Sequence, residues 1–458
     1  MDLPPVVSTP ETADAEDVGG DGNRPNDQPD DGADPGGQAD QGCHEGEDDV
    51  GQDTADARDQ DRAAETTLGF VDCGFLAGVG GGHSLTLSLL GSTRPIGRLR
   101  FGPVTGDDLL NLTATMVNTP SESFAEGPFV DWLHHQLEGL AHLQVTRVGD
   151  NLVARTTLGR GRRLILAGHS DTVPANGNAT ARIEGDLLWG LGSADMKGGL
   201  AVFLSLARQV VEPAIDLTYI IYAREEVARE HSGLTELARA RPDLVVGDCA
   251  ILGEPTSAMV EAGCQGALRF ELHLAGVRAH TARPWMGRNA VHRLGPVLTA
   301  LSGYQARMPI IDGCEYRESL QAVGVEAGVA GNVVPDAAVL GIHHRFAPDR
   351  SPAEAEASVR DLLAPHLDEG DEVSVVDSAP ACPPSLTHPL LERLVDENQL
   401  EVGAKLGWTD VAQLAELGIP ATNFGPGDAA VAHSAGEFLD RTSLEQCHGA
   451  LRRLITTA

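Results

Sequence analysis

Short apolar runs that end in a polar side chain punctuate the chain from about residue 105 onward. Leu164-Ile165-Leu166-Ala167 leads into Gly168-His169-Ser170-Asp171-Thr172-Val173-Pro174, and Leu217–Tyr222 leads into Glu225-Glu226. Cys249-Ala250-Ile251-Leu252 leads into Gly253-Glu254-Pro255-Thr256, and Ile419–Phe424 leads into a Gly-rich turn and His433. Apolar runs of this length suit strands covered on both faces. Helical spacing predicts helices over 107–117, 127–140 and 196–211, the last with Leu200, Phe203, Leu204 and Ala207 on one face. Residues 143–148 and 151–156 alternate like a hairpin. Strands and helices in alternation through about Gly266 predict an α/β fold, a mostly parallel sheet flanked by helices.

The pattern changes at Ala267. Leu268, Phe270, Leu272 and Leu274 alternate with other residues as in a strand with one open face. A helix over 290–306, strands over 320–325 and 337–346, and a helix over 352–367 follow. This is an α+β pattern with antiparallel pairing. From about Thr387 the βα pattern resumes. A ferredoxin-like α+β module at 267–380 is therefore inserted into one α/β domain, built from residues 105–266 and 381–458.

Composition sets apart what precedes these segments. The formal net charge is −34, and residues 1–66 hold 20 Asp and Glu against 3 Arg and no Lys. With almost no large apolar side chains, that stretch reads as a disordered acidic tail, since it cannot bury enough surface to offset its ordering entropy. Residues 67–104 read as a linker or as an upstream extension. The acidic balance argues against nucleic acid and anionic membranes as partners. No stretch approaches the roughly 18 apolar residues of a membrane span, and the start lacks the regions of a secretory signal. Seven scattered cysteines with no C-x-x-C pair suit a reducing cytoplasm.

The candidate chemistry lies at the strand ends, where open α/β sheets bind ligands. His169, Asp195, Glu226, Glu254 and His433 supply two imidazoles and three carboxylates, a donor set that suits a pair of zinc-like ions. Taken singly, each has a plainer reading: Asp195 as a helix cap near a dipole, Glu225-Glu226 as a solvated pair, His433 as a loop histidine. His169 and Asp171, two apart in an extended segment, share one side. A polar pair after an apolar strand is hard to bury without a purpose.

These segments, Gly168–Pro174, Gly192–Gly199, Glu225-Glu226, Gly253–Thr256, Gly276–His280, Gly331–Pro335 and Phe424–His433, resemble those of the di-zinc aminoacylase/carboxypeptidase metallopeptidases. That family includes acetylornithine deacetylase and succinyl-diaminopimelate desuccinylase. The resemblance covers about Thr105 to Leu454. Ile251–Thr256, Glu261–Gly266, Gly407-Trp408-Thr409-Asp410 and Asn423–Asp428 make it look closest to the actinobacterial desuccinylase branch, although bulky Trp408 stands where many desuccinylases have small hydroxyl residues.

The resemblance implies that His169, Asp195 and Glu254 hold one Zn2+ and that Asp195, Glu226 and His433 hold the other, with Co2+ able to substitute. It implies Glu225 as general base and Asp171 as the residue that orients His169. The inserted module would be a lid and dimerisation domain whose His280 stabilises the oxyanion in the partner's site, making a cytoplasmic homodimer. Asn332, Arg345 and Thr409 would contact substrate. Residues 267–350 carry 9 Arg against 7 Asp and Glu, a local positive balance suited to a multiply anionic substrate. The implied activity is hydrolysis of N-succinyl-L,L-2,6-diaminopimelate. Another N-acyl amino acid deacylase, a dipeptidase, or an inactive binding paralogue are the alternatives.

Overall fold

The computed structural model describes residues 108–457, and the expectations for 1–66 and 67–104 fall outside them. An eight-stranded mixed sheet runs in the order Gln144–Val148, Asn151–Arg155, Asp216–Tyr222, Arg163–His169, Cys249–Leu252, Ala421–Asn423, Val260–Ala262, Val402–Ala404. Its four adjacent middle strands, from Asp216–Tyr222 to Ala421–Asn423, pair in parallel. The hairpin at one end and the join between Ala421–Asn423 and Val260–Ala262 are antiparallel.

Strand side chains alternate between two cores, as a period of two requires. Leu164, Leu166, Leu217 and Ile251 face Met116, Phe129, Leu204 and Leu451, which come from the helices Leu109–Val117, Gly127–Glu138, Gly198–Gln209 and Arg441–Thr456. Ile165, Ala167, Ile220 and Leu252 face Leu234 and Leu237 of Gly233–Ala240 and Leu414 of Val411–Glu416. Covering both faces is why the interiors of these strands are mostly apolar. Each fully buried Leu or Ile contributes about 1.5–3 kcal/mol.

Between Cys264 and Cys382 the chain builds a second sheet, in the order Ser319–Ala327, Ala337–Phe346, Gly266–Ala275, Glu372–Ala379, antiparallel throughout. The helices Ala290–Ser302 and Pro352–Leu363 cover one face, packing on Leu268, Phe270, Leu272, Leu340 and Ile342. The chain order βαββαβ with this strand order is the ferredoxin-like arrangement. Its two connections to the larger sheet are paired where they leave it: Cys264 and Cys382 exchange backbone hydrogen bonds of 2.9 and 3.0 Å.

One expected element begins late. The helix after Asp195 starts at Gly198, and Ser193–Lys197 forms a separate wide turn in which Asp195 is extended (φ −117°, ψ 96°). Asp195 therefore does not cap that helix. Burial, not exposure, governs this stretch: the Lys197 ammonium is enclosed, donating to the carbonyls of Met116 and Thr119 at 3.1 and 2.9 Å.

Candidate metal centre and catalytic site

The parallel strands end side by side, so His169, at the end of its strand, the Glu225-Glu226 pair and Glu254 emerge on one rim. Close backbone contact draws Asp195 in beside them. A Cβ on Gly199 would stand 2.3 Å from the Gly253 carbonyl oxygen, so only glycine lets the start of the helix meet the strand end before Glu254. His433 arrives from a loop and adopts a left-handed backbone (φ 60°).

Asp195 lies at the middle of the cluster. Its Oδ1 is 3.0 Å from His169 Nε2, and its Oδ2 is 3.5 Å from His433 Nε2. His433 Nε2 is also 2.9 Å from Glu226 Oε1. Potential ligand atoms of His169, Asp195 and Glu254 lie within 4.8 Å of one another, as do those of Asp195, Glu226 and His433. A further overlapping group joins His169, Glu225 and Glu226.

The electrostatics call for positive charge. Burial would depress the His169 imidazole, yet Asp171 and Asp195 hold it well above its ordinary value. Hydrogen bonds to Asp195 and then Glu226 push His433 up to about 10. Burial, then the Asp195 charge, raises Glu254 to about 7. Burial likewise raises Glu225 well above the ordinary range, with Glu254, Asp410 and Glu226 adding to the rise. Glu254 Oε1 is buried without a hydrogen-bond partner. Buried acids normally find partners, so a carboxylate oxygen left over among two histidines and further acids fits divalent cations, and the donor types fit zinc.

Asp171 lies beside His169. His169 Nδ1 is hydrogen-bonded to the Asp171 carbonyl oxygen at 3.1 Å, with the carboxylate at 3.6 Å. The carboxylate itself accepts from the backbone N–H groups of Glu225 and Glu226, at 2.9 and 3.0 Å, and from the Ser123 hydroxyl at 2.8 Å. It is thus bonded to the backbone of the glutamate pair and lies beside the histidine.

The remaining candidates make no hydrogen bond or ion pair to this cluster among the described residues. His280 is exposed on a short strand paired with Val333–Val334, and its Nδ1 accepts from Ala282 N–H at 3.0 Å. Asn332 is brought next to it, its carbonyl accepting from Thr281 N–H at 3.0 Å. Neither has a hydrogen bond or ion pair to the cluster among the described residues. Arg345 is largely enclosed, and its guanidinium has no hydrogen bond or ion pair among the described residues. That narrows the local positive balance noted above, because Arg269, Arg278, Arg288, Arg293, Arg307 and Arg350 are all paired with carboxylates. Thr409 is buried, its hydroxyl donating to Asn423 Oδ1 at 2.8 Å. The Trp408 indole donates to the Pro380 carbonyl at 3.1 Å.

Glu437 is not among the residues the sequence singles out. Its carboxylate is buried behind Asp195, and the only sign of it was an acid in a Gly-containing turn four residues past His433. The five described cysteines are free and buried. No helix among the described residues is long and apolar enough to cross a membrane.

Known proteins share this framework. Over 351 residues the chain is 46% identical to a putative succinyl-diaminopimelate desuccinylase of Mycobacterium tuberculosis, covering 76% of this chain and 98% of that protein. It is 42% identical over 339 residues to the succinyl-diaminopimelate desuccinylase of Corynebacterium glutamicum, covering 72% and 91%. A Staphylococcus aureus tripeptidase structure superimposes with a TM-score of 0.64 at 21% identity, covering 77% of this chain and 98% of that one, a likeness of fold. Residues 165–457, which contain every member of the cluster, match peptidase family M20/M25/M40, and the chain belongs to that family of metal-dependent hydrolases of amide bonds.

Proposed function

We propose that the chain is a succinyl-diaminopimelate desuccinylase, hydrolysing N-succinyl-L,L-2,6-diaminopimelate to succinate and L,L-2,6-diaminopimelate on the route to lysine and peptidoglycan precursors. The observation that carries the reaction type is the Asp195 carboxylate, whose two oxygens face two different histidines amid buried acids. The choice of substrate is supported by relatives of that name matched over 98% and 91% of their length.

In this reading His169, Asp195 and Glu254 hold one Zn2+, and Asp195, Glu226 and His433 the other, with Co2+ able to substitute. When bound, such ions polarise the amide carbonyl and lower the pKa of a water to about 7. Glu225 takes the proton of the attacking water and passes it to the leaving amine nitrogen. Its buried, acid-rich surroundings favour holding that proton between the two transfers. Asp171 fixes the backbone from which Glu225 and Glu226 diverge.

The ferredoxin-like unit serves as lid and dimerisation domain of a cytoplasmic homodimer. His280 of the partner subunit donates to the oxyanion of the tetrahedral intermediate, with Asn332 as a second polar contact. The unpaired Arg345 fork takes a substrate carboxylate through two parallel hydrogen bonds. Thr409 borders the acyl pocket.

The test is a panel of N-succinyl-diaminopimelate, N-acetylornithine and dipeptides offered to zinc- or cobalt-loaded enzyme. Succinate release is expected to dominate. Turnover confined to acetylornithine or dipeptides would overturn the substrate and leave the amide chemistry standing.

A further inference from the structure

We propose that Glu437 is a positioning residue of the metal centre, setting the backbone from which Asp195 and His433 face one another. The inference rests on reading the cluster as that centre.

Glu437 is 1% exposed. Its Oε1 accepts from the backbone N–H of Ala194 at 3.0 Å and from that of Asp195 at 3.2 Å. Its Oε2 is buried and makes no hydrogen bond. The neighbouring Lys197 ammonium is committed to two carbonyl oxygens. Its side-chain hydrogen bonds go to consecutive amides of the Asp195 segment, one of them belonging to Asp195 itself. A buried polar atom is costly to leave unpaired, so the Oε1 acceptor is held where it meets these amides.

The backbone of Glu437 acts on the other side of the site. Its N–H donates to the Ser434 carbonyl at 3.2 Å, closing the turn that follows His433. Its carbonyl accepts from Gly190 N–H at 3.1 Å, and Asn178 Nδ2 donates to the Ser434 carbonyl at 3.0 Å. His433 sits in a left-handed conformation at the head of this turn, a backbone that its surroundings must hold in place. One residue thus ties the loop of His433 to the segment of Asp195, across which the imidazole and carboxylate stand 3.5 Å apart. Groups that orient ligands in this way tune metal affinity without touching the metal.

The experiment measures zinc binding by calorimetry on chelator-treated full-length protein. Glu437→Asp keeps the charge but withdraws the oxygen by roughly 1.5 Å, one carbon–carbon bond. It should bind zinc about 10-fold or more weakly, with the melting temperature of the metal-free protein unchanged. Its activity should recover as zinc is raised, at unchanged KM. Glu437→Gln retains an Oε1 acceptor and should bind zinc within about threefold of wild type, as expected if the acceptor rather than the charge does the positioning. Wild-type affinity in Glu437→Asp would overturn the inference. So would a loss that tracks a lowered melting temperature and is not rescued in Glu437→Gln. If wild-type protein itself takes up no zinc, the reading of the cluster falls with it, which separates the two failures.

Discussion

The Asp171 carboxylate accepts the backbone N–H of Glu225 at 2.9 Å. Its other oxygen takes the N–H of Glu226 at 3.0 Å, while its own carbonyl faces His169 Nδ1. One aspartate thereby registers the end of one strand against the end of its neighbour. Two adjacent glutamates held by their backbone can point their side chains apart, one toward a cation and one toward the reacting water.

Glu225→Gln removes the base while leaving the proposed ligands intact. Its kcat should fall by about 10^2–10^4-fold, the usual worth of a general base, with zinc content unchanged by elemental analysis. Near-normal kcat would remove Glu225 from the chemistry.

Asp171→Ala frees both glutamate amides and the Ser123 hydroxyl at once. Zinc affinity should weaken by about 10–100-fold, as for other groups that orient ligands, and kcat should fall even when zinc is saturating. A variant that lost affinity but kept full kcat at saturation would show that Asp171 serves the metals alone.

The exposed His280 gives a complementation test. His280→Ala and Glu225→Gln homodimers should each be nearly inactive. When subunits are mixed one to one and allowed to exchange, about a quarter of wild-type activity should return, since half of the dimers are mixed and each has one complete site. No recovery on exchange would place His280 in its own subunit's chemistry or in none.

The ferredoxin-like unit carries a pH-dependent tie. Burial alone would raise the Asp371 carboxyl, but hydrogen bonds from Arg293 and from the N–H groups of Asp368 and Ala275 hold it down at about 2, against an ordinary 3.8. A depressed folded-state pKa means that the unfolded chain takes up the proton first. The stabilisation is therefore complete above about pH 4 and is lost as pH falls toward 2. Asp371→Asn should cost roughly 1–3 kcal/mol at pH 7 in urea unfolding, and its stability should converge with wild type as pH falls from 4 toward 2. An undiminished gap across that range would contradict the assignment.

Most of the framework was legible in the sequence because apolar periodicity reports burial directly. The strands ending at Leu252 and Phe346 and the switch to one-sided alternation at Leu268 follow from it. The small three-stranded sheet of Arg182–Glu184, Leu187–Trp189 and Phe438–Asp440 was not legible, since three-residue strands carry no period. Neither was the Ser193–Lys197 turn, where Met196 and Leu200 continue an apolar spacing that the backbone does not follow. His169, Glu226, Glu254 and His433 stand out because they follow apolar runs, while the roles of all five, Asp195 included, came from the resemblance. The partners that aim them, Glu437 through its side chain and Asp171 through two amides, act by backbone contacts across long sequence separations, which no local pattern encodes.

The most direct test strips the protein with chelator and then titrates it with zinc while following succinate release from N-succinyl-L,L-2,6-diaminopimelate. Activity should be absent at the start, should rise with added zinc, and should level off at two ions per chain. Full succinate release from metal-free protein, or none at saturating zinc, would contradict the account.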